Sequence, residues 1–356
     1  MPKKYNLEQL IDSHLTTLAS LQAPSGLFRA ASDHVDTGYD KAWLRDNFYE
    51  CLPFVLLENW EVVTKTYSAL LDIFLKHESK IDYAIAQKPD AKHKYIHARY
   101  NPETFSEFWE EWGNKQNDAV GAILFMIGQL EVEHKINILD SADKVRIVQK
   151  LIDYLSSLSY WQDPDSGVWE EDEEVHASSV GACLAGLVSV AKVPGLIVKE
   201  ELIKNGQESL NSMLPRESAK KFVDLAQLSL IFPYDILSEQ QANLVLENVE
   251  YHLVREMGII RYKNDYYYNR NPDGYSEEAE WCFGFSWLAI IYTHKGQADS
   301  ARKFIQLAFK TINAEGQIPE LYLSNTDEHN TNSPLGWAEA MFIIALKLYQ
   351  QKGYKI

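Results

Sequence analysis

Cysteine is scarce in this chain, with three residues in 356: Cys51, Cys183 and Cys282. Their number is odd, they are far apart, and each lies in an apolar stretch with helical periodicity, so we expect buried, reduced thiols rather than disulfides. The chain also lacks an apolar run of membrane-spanning length, and its first residues lack the apolar core of a signal peptide. These absences predict a cytoplasmic protein that does not interact with membranes.

Positively charged residues are also few. Lys and Arg number 34 against 51 Asp and Glu, which gives a net charge of −17. The electrostatic field of this negative charge repels phosphate backbones, so we expect no nucleic-acid partner. The chain has no glycine-rich phosphate loop, nucleophile-elbow serine or paired-cysteine metal motif. His93 and His97 have the spacing of helical metal ligands, but their stretch is polar and loop-like. We therefore expect solvated histidines and no metal or cofactor.

Aromatic residues and helical periodicity dominate what is present. Phe, Trp and Tyr make up 12% of the chain, and hydrophobic residues 46%, as in a well-packed globular protein. Strand signals are few. The periodicity predicts twelve helices, at 6–22, 45–57, 60–77, 116–131, 140–157, 176–192, 197–212, 221–231, 238–255, 277–294, 297–312 and 335–350.

The links between these helices alternate in length. Links after even-numbered helices are short, whereas those after odd-numbered helices are long: 23–44, 78–115, 158–175, 256–276 and 313–334, with 213–220 the shortest. The even-numbered helices are also apolar on most faces, as in 280–292, and such helices are usually buried. We therefore predict a single all-α domain, 1–356, with an inner ring of about six helices inside an outer ring. An ordinary helical bundle with scattered loops stays an alternative.

The long links carry tryptophans, carboxylates and arginines, and a double ring would bring them to one end. Aromatic faces with fixed hydrogen-bonding groups suit a neutral polyol such as a sugar. Cleaving a glycosidic bond needs an acid and a second carboxylate, and Glu170 and Glu320 are the candidates. Trp169 and Glu171 beside Glu170 are expected to raise its pKa by desolvation and like charge. The alternatives are a solvated acidic run at 170–174 and an ordinary loop carboxylate at 320.

Several motifs together resemble glycoside hydrolase family 15, the glucoamylases and glucodextranases. The residues that carry the resemblance are Trp43-Leu-Arg-Asp46, Trp112-Gly-Asn-Lys-Gln-Asn-Asp118, Gly167-Val-Trp-Glu-Glu171, Arg261-Tyr262, Ile318-Pro-Glu320 and Pro334-Leu-Gly-Trp337. The stretches His176-Ala-Ser-Ser-Val-Gly181 and Leu214-Pro-Arg-Glu-Ser218 also resemble the barrel of the phosphorylase kinase alpha and beta subunits. The resemblance implies an (α/α)6 barrel of six inner and six outer helices.

The resemblance also implies roles for individual residues. Glu170 would be the general acid and Glu320 the general base, with Arg45 and Asp46 clamping the non-reducing-end glucose. Further substrate contacts would come from Tyr39, Trp43, Trp112, Trp169, Glu171 and Arg261. Two positions depart from the glucoamylase pattern, because Lys41 replaces a frequent aromatic residue and Leu321 replaces a frequent glutamine.

These inferences predict an inverting exo-acting hydrolase that releases β-glucose from small α-gluco-oligosaccharides. Inversion requires carboxyl groups roughly 6.5–9.5 Å apart. Substrates with α-1,6 links, such as isomaltose, are favoured over α-1,4-linked ones, mainly because the chain looks more similar to other relatives than to the fungal starch enzymes. Lys41 and Leu321 also replace residues of the starch-cleaving pattern. The alternatives are a non-catalytic sugar-sensing or regulatory module like the large kinase subunits, and a barrel with lyase or epimerase chemistry.

Overall fold

The computed structural model describes residues 6–32, 35, 37–108, 115–270 and 277–355. Within these ranges the chain forms twelve α-helices and four two-residue strands. The helices are α1 (Leu7–Ser20), α2 (Leu44–Leu56), α3 (Trp60–Lys76), α4 (Glu78–Ala86), α5 (Asn117–Gly128), α6 (Ala142–Leu158), α7 (Ala177–Val190), α8 (Glu200–Met213), α9 (Glu239–Leu253), α10 (Phe283–His294), α11 (Ala298–Ala308) and α12 (Gly336–Gln351).

Six elements form a closed inner ring. Going round it, α2 packs on α5, α5 on α7, α7 on a 3-10 helix at Leu225–Leu230, that helix on α10, α10 on α12, and α12 on α2. The five α-helices of the ring are buried on nearly every face, as their apolar composition predicts. The closest approach is between α5 and α7, where a Cβ on Gly121 would lie 2.5 Å from the backbone of Ala182 and Cys183. Only glycine allows this contact.

An outer ring surrounds the inner one. Helices α1, α3, α8 and α11 pack on α12, α2, α7 and α10, while α6 packs on α3 and α5, and α9 on the 3-10 helix. Each outer helix buries one stripe, as α6 does with its seven buried residues of seventeen. The predicted start of the ninth helix is confirmed, because Ser238 and Gln241 form a capping box at the start of α9. The protein is therefore an (α/α)6 barrel, as predicted.

Two short antiparallel sheets lie in the long links. Strand β1 (Ala42–Trp43) pairs with β2 (Arg99–Tyr100), and β3 (Glu280–Trp281) pairs with β4 (Leu321–Tyr322). The first sheet brings the link before α5 onto the start of α2. The second brings the link before α12 onto the start of α10. Both sheets thus join long links at the same end of the barrel.

Three helix predictions were wrong in detail. The helix predicted at 221–231 is only the 3-10 helix, since Pro233 follows it and disfavours helical backbone just before itself. The helix predicted from 277 begins at Phe283, because 280–281 pairs as a strand instead. Helix α4 occupies part of the link 78–115, where no helix was predicted.

The three cysteines are free and buried, as predicted. Within the described ranges, no helix combines the length and the apolar character needed to cross a membrane.

Candidate active site

The long links converge on a pocket at one end of the barrel. Its volume is about 250 Å³. It is lined by Ala30, Tyr39, Trp43, Arg45, Asp46, Val168, Trp169, Glu170, Glu171, Arg261, Tyr267, Trp281, Glu320, Leu335 and Trp337. These residues come from four of the long links and from the first turns of α2 and α12.

The start of α2 contributes an arginine and an aspartate to the pocket wall. Arg45 Nη1 donates to Gln116 Oε1 at 2.7 Å and to Asp118 Oδ2 at 3.2 Å, and Nη2 lies 3.6 Å from Glu170 Oε1. The charges of Asp118, Glu170 and Asp46 outweigh burial and raise the pKa of Arg45, so the guanidinium stays charged. Asp46 lies in the same turn, where the positive end of the helix dipole favours a carboxylate.

Glu170 stands on a tight turn with left-handed backbone, at φ 62°. Its Oε1 accepts a hydrogen bond from Trp43 Nε1 at 2.6 Å and another from Gln116 Nε2 at 2.8 Å. The turn is closed by the Glu171 N–H, which donates to the Ser166 carbonyl at 3.0 Å. A non-glycine residue rarely adopts this backbone conformation, and such strain concentrates at functional sites. The turn thus aims the Glu170 side chain at the pocket.

Beneath this turn lies a buried charged network. The Asp165 carboxylate accepts hydrogen bonds from the N–H groups of Gly167 and Asn117. His176 Nδ1 lies 3.4 Å from Glu217 Oε1. Burial lowers the pKa of His176, but the hydrogen bond to Glu217 and the charge of Asp165 outweigh it and raise the pKa to about 9. The imidazolium therefore supplies a positive charge under the Glu170 turn at neutral pH.

Glu320 is 1% exposed and is held by three side-chain donors. Tyr39 Oη donates to Oε1 at 2.8 Å, while the amide groups of Asn330 and Asn332 donate to Oε2 at 2.5 and 2.7 Å. Burial raises the pKa of Glu320, and the three hydrogen bonds oppose that shift by stabilising the ionised form. The rings of Tyr39 and Trp43 pack with centroids 5.3 Å apart. Glu320 and Glu170 are therefore held by different donors, and two of these donors, Tyr39 and Trp43, pack against each other.

Glu171 and Arg261 form an ion pair at the side of the pocket. Arg261 Nη2 donates to Glu171 Oε1 at 2.9 Å, and the guanidinium also makes a two-pronged contact with Asp265, both hydrogen bonds 2.6 Å long. Burial would raise the pKa of Glu171, but Arg261 and Lys221 outweigh it and hold the pKa below its usual value. Four aromatic rings surround the Arg261 guanidinium within 6 Å: Trp169, Tyr262, Tyr267 and Trp281.

The carboxyl group of Asp46 has a strongly raised pKa. Burial raises its pKa, the charge of Arg45 opposes the rise, and the charges of Glu170 and Glu320 add to it, so that the pKa is about 7. The wall of the pocket thus holds a carboxyl group that titrates near neutrality, between two other carboxylates and one arginine.

Comparison with known families identifies the family of this chain. The family model described as "Glycosyl hydrolases family 15" matches residues 5–277. The chain belongs to glycosyl hydrolase family 15. The match includes Glu170 and ends before Glu320, so the second carboxylate lies outside the matched range.

Curated relatives of this family 15 chain are regulatory proteins by name. The regulatory subunit alpha of phosphorylase b kinase, skeletal muscle isoform, from Mus musculus is 24% identical over 404 residues, covering 93% of this chain. The probable alpha regulatory subunit of Caenorhabditis elegans is 22% identical and covers 97% of it. The chain spans about a third of the length of these relatives. The resemblance to glycoside hydrolase family 15 and to the alpha subunit of phosphorylase kinase, inferred from motifs, is thereby confirmed.

Solved structures share the fold. A structure named as a wild-type glycosidase superposes with a TM-score of 0.82 at 17% identity, covering 98% of this chain and 99% of the other. Glucoamylase from Saccharomycopsis fibuligera gives a TM-score of 0.68 at 17% identity, covering 97% and 95%. At such identities the likeness concerns the barrel itself.

The pocket of this family 15 chain contains nine of the ten predicted site residues. These are Tyr39, Trp43, Arg45, Asp46, Trp169, Glu170, Glu171, Arg261 and Glu320. The tenth, Trp112, lies outside the described residues. Their roles in catalysis and binding stay predictions.

Sequence reasoning missed several residues of the site. Trp281 was placed inside a predicted helix, although it lies in β3 and lines the pocket. Asn330 and Asn332 donate hydrogen bonds to Glu320. The sequence signal that could have identified them is two asparagines, two residues apart, in the same long link as Glu320. Gln116, which donates a hydrogen bond to Glu170, lies in the motif at 112–118, but no role was predicted for it.

Three expectations about neighbouring residues need correction. His97 was expected to be solvated, but it is 5% exposed, and burial lowers its pKa to about 4. Leu321 is fully buried in β4 and does not line the pocket, so it cannot contact the substrate there. The side chains beside Glu170 also have partners that were not expected, because Glu171 pairs with Arg261 and Trp169 Nε1 donates to Asp224.

Proposed function

We propose that this protein is an inverting exo-acting α-glucosidase that releases β-glucose from the non-reducing end of small α-gluco-oligosaccharides. The observation that carries the proposal is the pocket, in which two carboxyl groups with different hydrogen-bond partners lie among aromatic faces, an arginine and an aspartate. Membership of glycosyl hydrolase family 15 supports the same chemistry.

In this proposal Glu170 is the general acid. Its Oε1 accepts hydrogen bonds from Trp43 and Gln116, which a neutral carboxyl group can also accept on its carbonyl oxygen. The proton would then be carried on Oε2 and passed to the glycosidic oxygen as the bond to the anomeric carbon breaks. The leaving sugar departs as a neutral alcohol.

Glu320 is the general base. Three donors fix its orientation and favour its ionised form, so that it can take a proton from water. That water attacks the anomeric carbon on the face opposite the leaving oxygen, and the product is the β-anomer. Asp46 accepts hydrogen bonds from glucose hydroxyls, with Arg45 beside it as a donor.

The pocket favours a single terminal sugar. Its volume of about 250 Å³ lies below the roughly 300–1,000 Å³ typical of drug-sized ligands. Strand β2 lies against the pocket wall, because it pairs with β1 and places the Arg99 guanidinium over the Trp43 ring at 5.5 Å. We therefore favour an exo-acting enzyme for short oligosaccharides.

For the linkage, we favour α-1,6 over α-1,4 bonds. Of the two departures from the glucoamylase pattern, Lys41 still supports this choice, because it lies two residues from Trp43 and its ammonium group packs over the Phe108 ring at 4.3 Å.

A regulatory module that binds sugar without cleaving it is the second candidate. The observation in its favour is that the curated relatives are named as kinase regulatory subunits. The presence of two separately held carboxyl groups in the pocket favours the hydrolase, because binding alone requires no acid and base.

The experiment is a glucose-release assay with isomaltose, maltose, trehalose and maltoheptaose, together with calorimetric titration of glucose. We expect saturable release, with the highest kcat/KM on isomaltose. Glu170→Gln and Glu320→Gln should retain glucose binding but lose turnover. Binding of glucose without release from any substrate would favour the regulatory module, and maltoheptaose as the best substrate would refute the short-oligosaccharide assignment.

A further inference from the structure

The segment that carries Glu320 is tied to the barrel through its main chain. The Glu320 N–H donates to the Asn332 carbonyl at 2.9 Å, and the Glu320 carbonyl accepts from the Cys282 N–H at 3.1 Å. The Ile318 carbonyl accepts from the N–H of the residue just before α12, also at 2.9 Å. These contacts are made by neighbouring main chain.

The Ile318 N–H, by contrast, donates to an ionisable side chain. Its acceptor is Oε1 of Glu339 on α12, at 2.8 Å, and Glu339 is fully buried. Oε2 of the same carboxyl group is hydrogen-bonded to Nδ1 of His14 on α1. The His14 ring packs edge-on against Phe342, with centroids 4.7 Å apart. One buried carboxyl group thus joins the N-terminal helix, α12 and the main chain two residues before Glu320.

We propose that Glu339 is a positioning residue for Glu320, held in place by His14. The inference rests on the proposed function in one respect, that Glu320 is the general base. A buried N–H that loses its acceptor is costly to leave unpaired, so the segment around Ile318 would shift when Glu339 is replaced by an apolar residue. A misplacement of a reacting group by 1 Å can lower a rate by about 100-fold.

The alternative is that Glu339 and His14 only join α1 to α12. Three variants separate the two roles. Glu339→Met removes the acceptor and keeps a side chain of similar length, and Glu339→Gln keeps an amide oxygen for the Ile318 N–H. The control is Glu131→Met. Glu131 also accepts main-chain N–H groups, those of Ile138 and Leu139 at 2.6 Å, but it lies beyond the end of α5 that is remote from the pocket.

Steady-state kinetics on the best sugar substrate give the first readout. We expect Glu339→Met to lower kcat by about 10- to 100-fold with KM within threefold of wild type, and Glu339→Gln to restore kcat to within about threefold. Glu131→Met should lower the Tm and leave kcat unchanged. A folded Glu339→Met variant with wild-type kcat would overturn the proposal, as would equal loss in the Met and Gln variants.

Hydrogen exchange gives the second readout and does not require catalysis. Amides in 313–334 should exchange faster in Glu339→Met than in wild type or Glu131→Met. If Glu339→Met does not fold, His14→Asn takes its place, and the same faster exchange is expected. Unchanged exchange in 313–334 would overturn the proposal. A wild-type protein that cleaves no sugar would refute the proposed function, while the exchange comparison would still decide this inference.

Discussion

Replacing Asp46 by Asn should stabilise the protein while it weakens sugar binding. The pKa of Asp46 is raised from 3.8 to about 7, chiefly by burial, and the attraction of Arg45 is already included in that net shift. In the unfolded chain the carboxyl group releases its proton near its ordinary pKa. Between these two values the folded state binds more protons than the unfolded state, so the stability of the wild type falls as pH rises.

The size of the effect follows from the shift. Three pKa units correspond to about 4 kcal/mol at pH 7, by the linkage relation. For 356 residues the unfolding entropy is about 0.7 kcal/mol/K, so the stabilisation would raise the Tm by about 5 °C. Toward pH 4 the unfolded state also begins to bind the proton, so the effect of Asn should fall below about 1 kcal/mol there.

The assay is thermal unfolding of both proteins from pH 4 to 8. We expect the Tm difference between Asp46→Asn and wild type to grow from near zero to about 5 °C. Asp12→Asn, at an exposed position on α1, is the matched control and should show no such growth. A Tm difference that is independent of pH would refute the reasoning. In parallel, kcat/KM should fall by about 100-fold or more, because Asp46 is the proposed acceptor for glucose hydroxyls.

Other substitutions test the remaining parts of the site. Glu170→Gln and Glu320→Gln should each lower kcat by about 100-fold or more with a Tm within a few degrees of wild type, measured by glucose release and thermal unfolding. Because burial raises the pKa of Glu320, the acid limb of kcat/KM should lie above the usual glutamate value of 4.5, and activity should rise with pH through it. Asn332→Ala removes a hydrogen bond that lowers this pKa, so the limb should move to higher pH in a pH–rate profile; an unmoved limb would contradict the assignment. Arg261→Lys loses the two-pronged contact with Asp265, and we expect KM to rise at least tenfold, whereas a wild-type KM would remove Arg261 from substrate binding.

The barrel could be predicted from the sequence because the amino-acid composition of each helix indicates how much of its surface is buried. Helix α10 is apolar on every face and α11 on one, which distinguishes an inner from an outer helix. The two-residue strands could not be predicted, since a pair such as Glu280–Trp281 has no periodicity. The 3-10 helix at Leu225–Leu230 has an apolar composition typical of an inner α-helix, and the proline that follows shortens it.

The candidate site was predictable where its residues stand in distinctive combinations. Arg45-Asp46 and Trp169-Glu170-Glu171 are such combinations, and the structure places all of them around the pocket. The partners of these residues were not predictable, because hydrogen bonds such as those between Asn332 and Glu320 depend on loop geometry. For the same reason, adjacency to Glu171 suggested like charge beside Glu170, whereas Glu171 pairs with Arg261.

The central claim is inversion at the anomeric carbon, and proton NMR of the first-formed glucose tests it most directly. Isomaltose is cleaved in the spectrometer, with enough enzyme to outpace mutarotation. If Glu320 activates a water opposite the leaving oxygen, the first signal is β-glucose, and α-glucose appears later as the sugar equilibrates. If α-glucose forms first, the enzyme is retaining, and the assignment of Glu320 as general base is wrong.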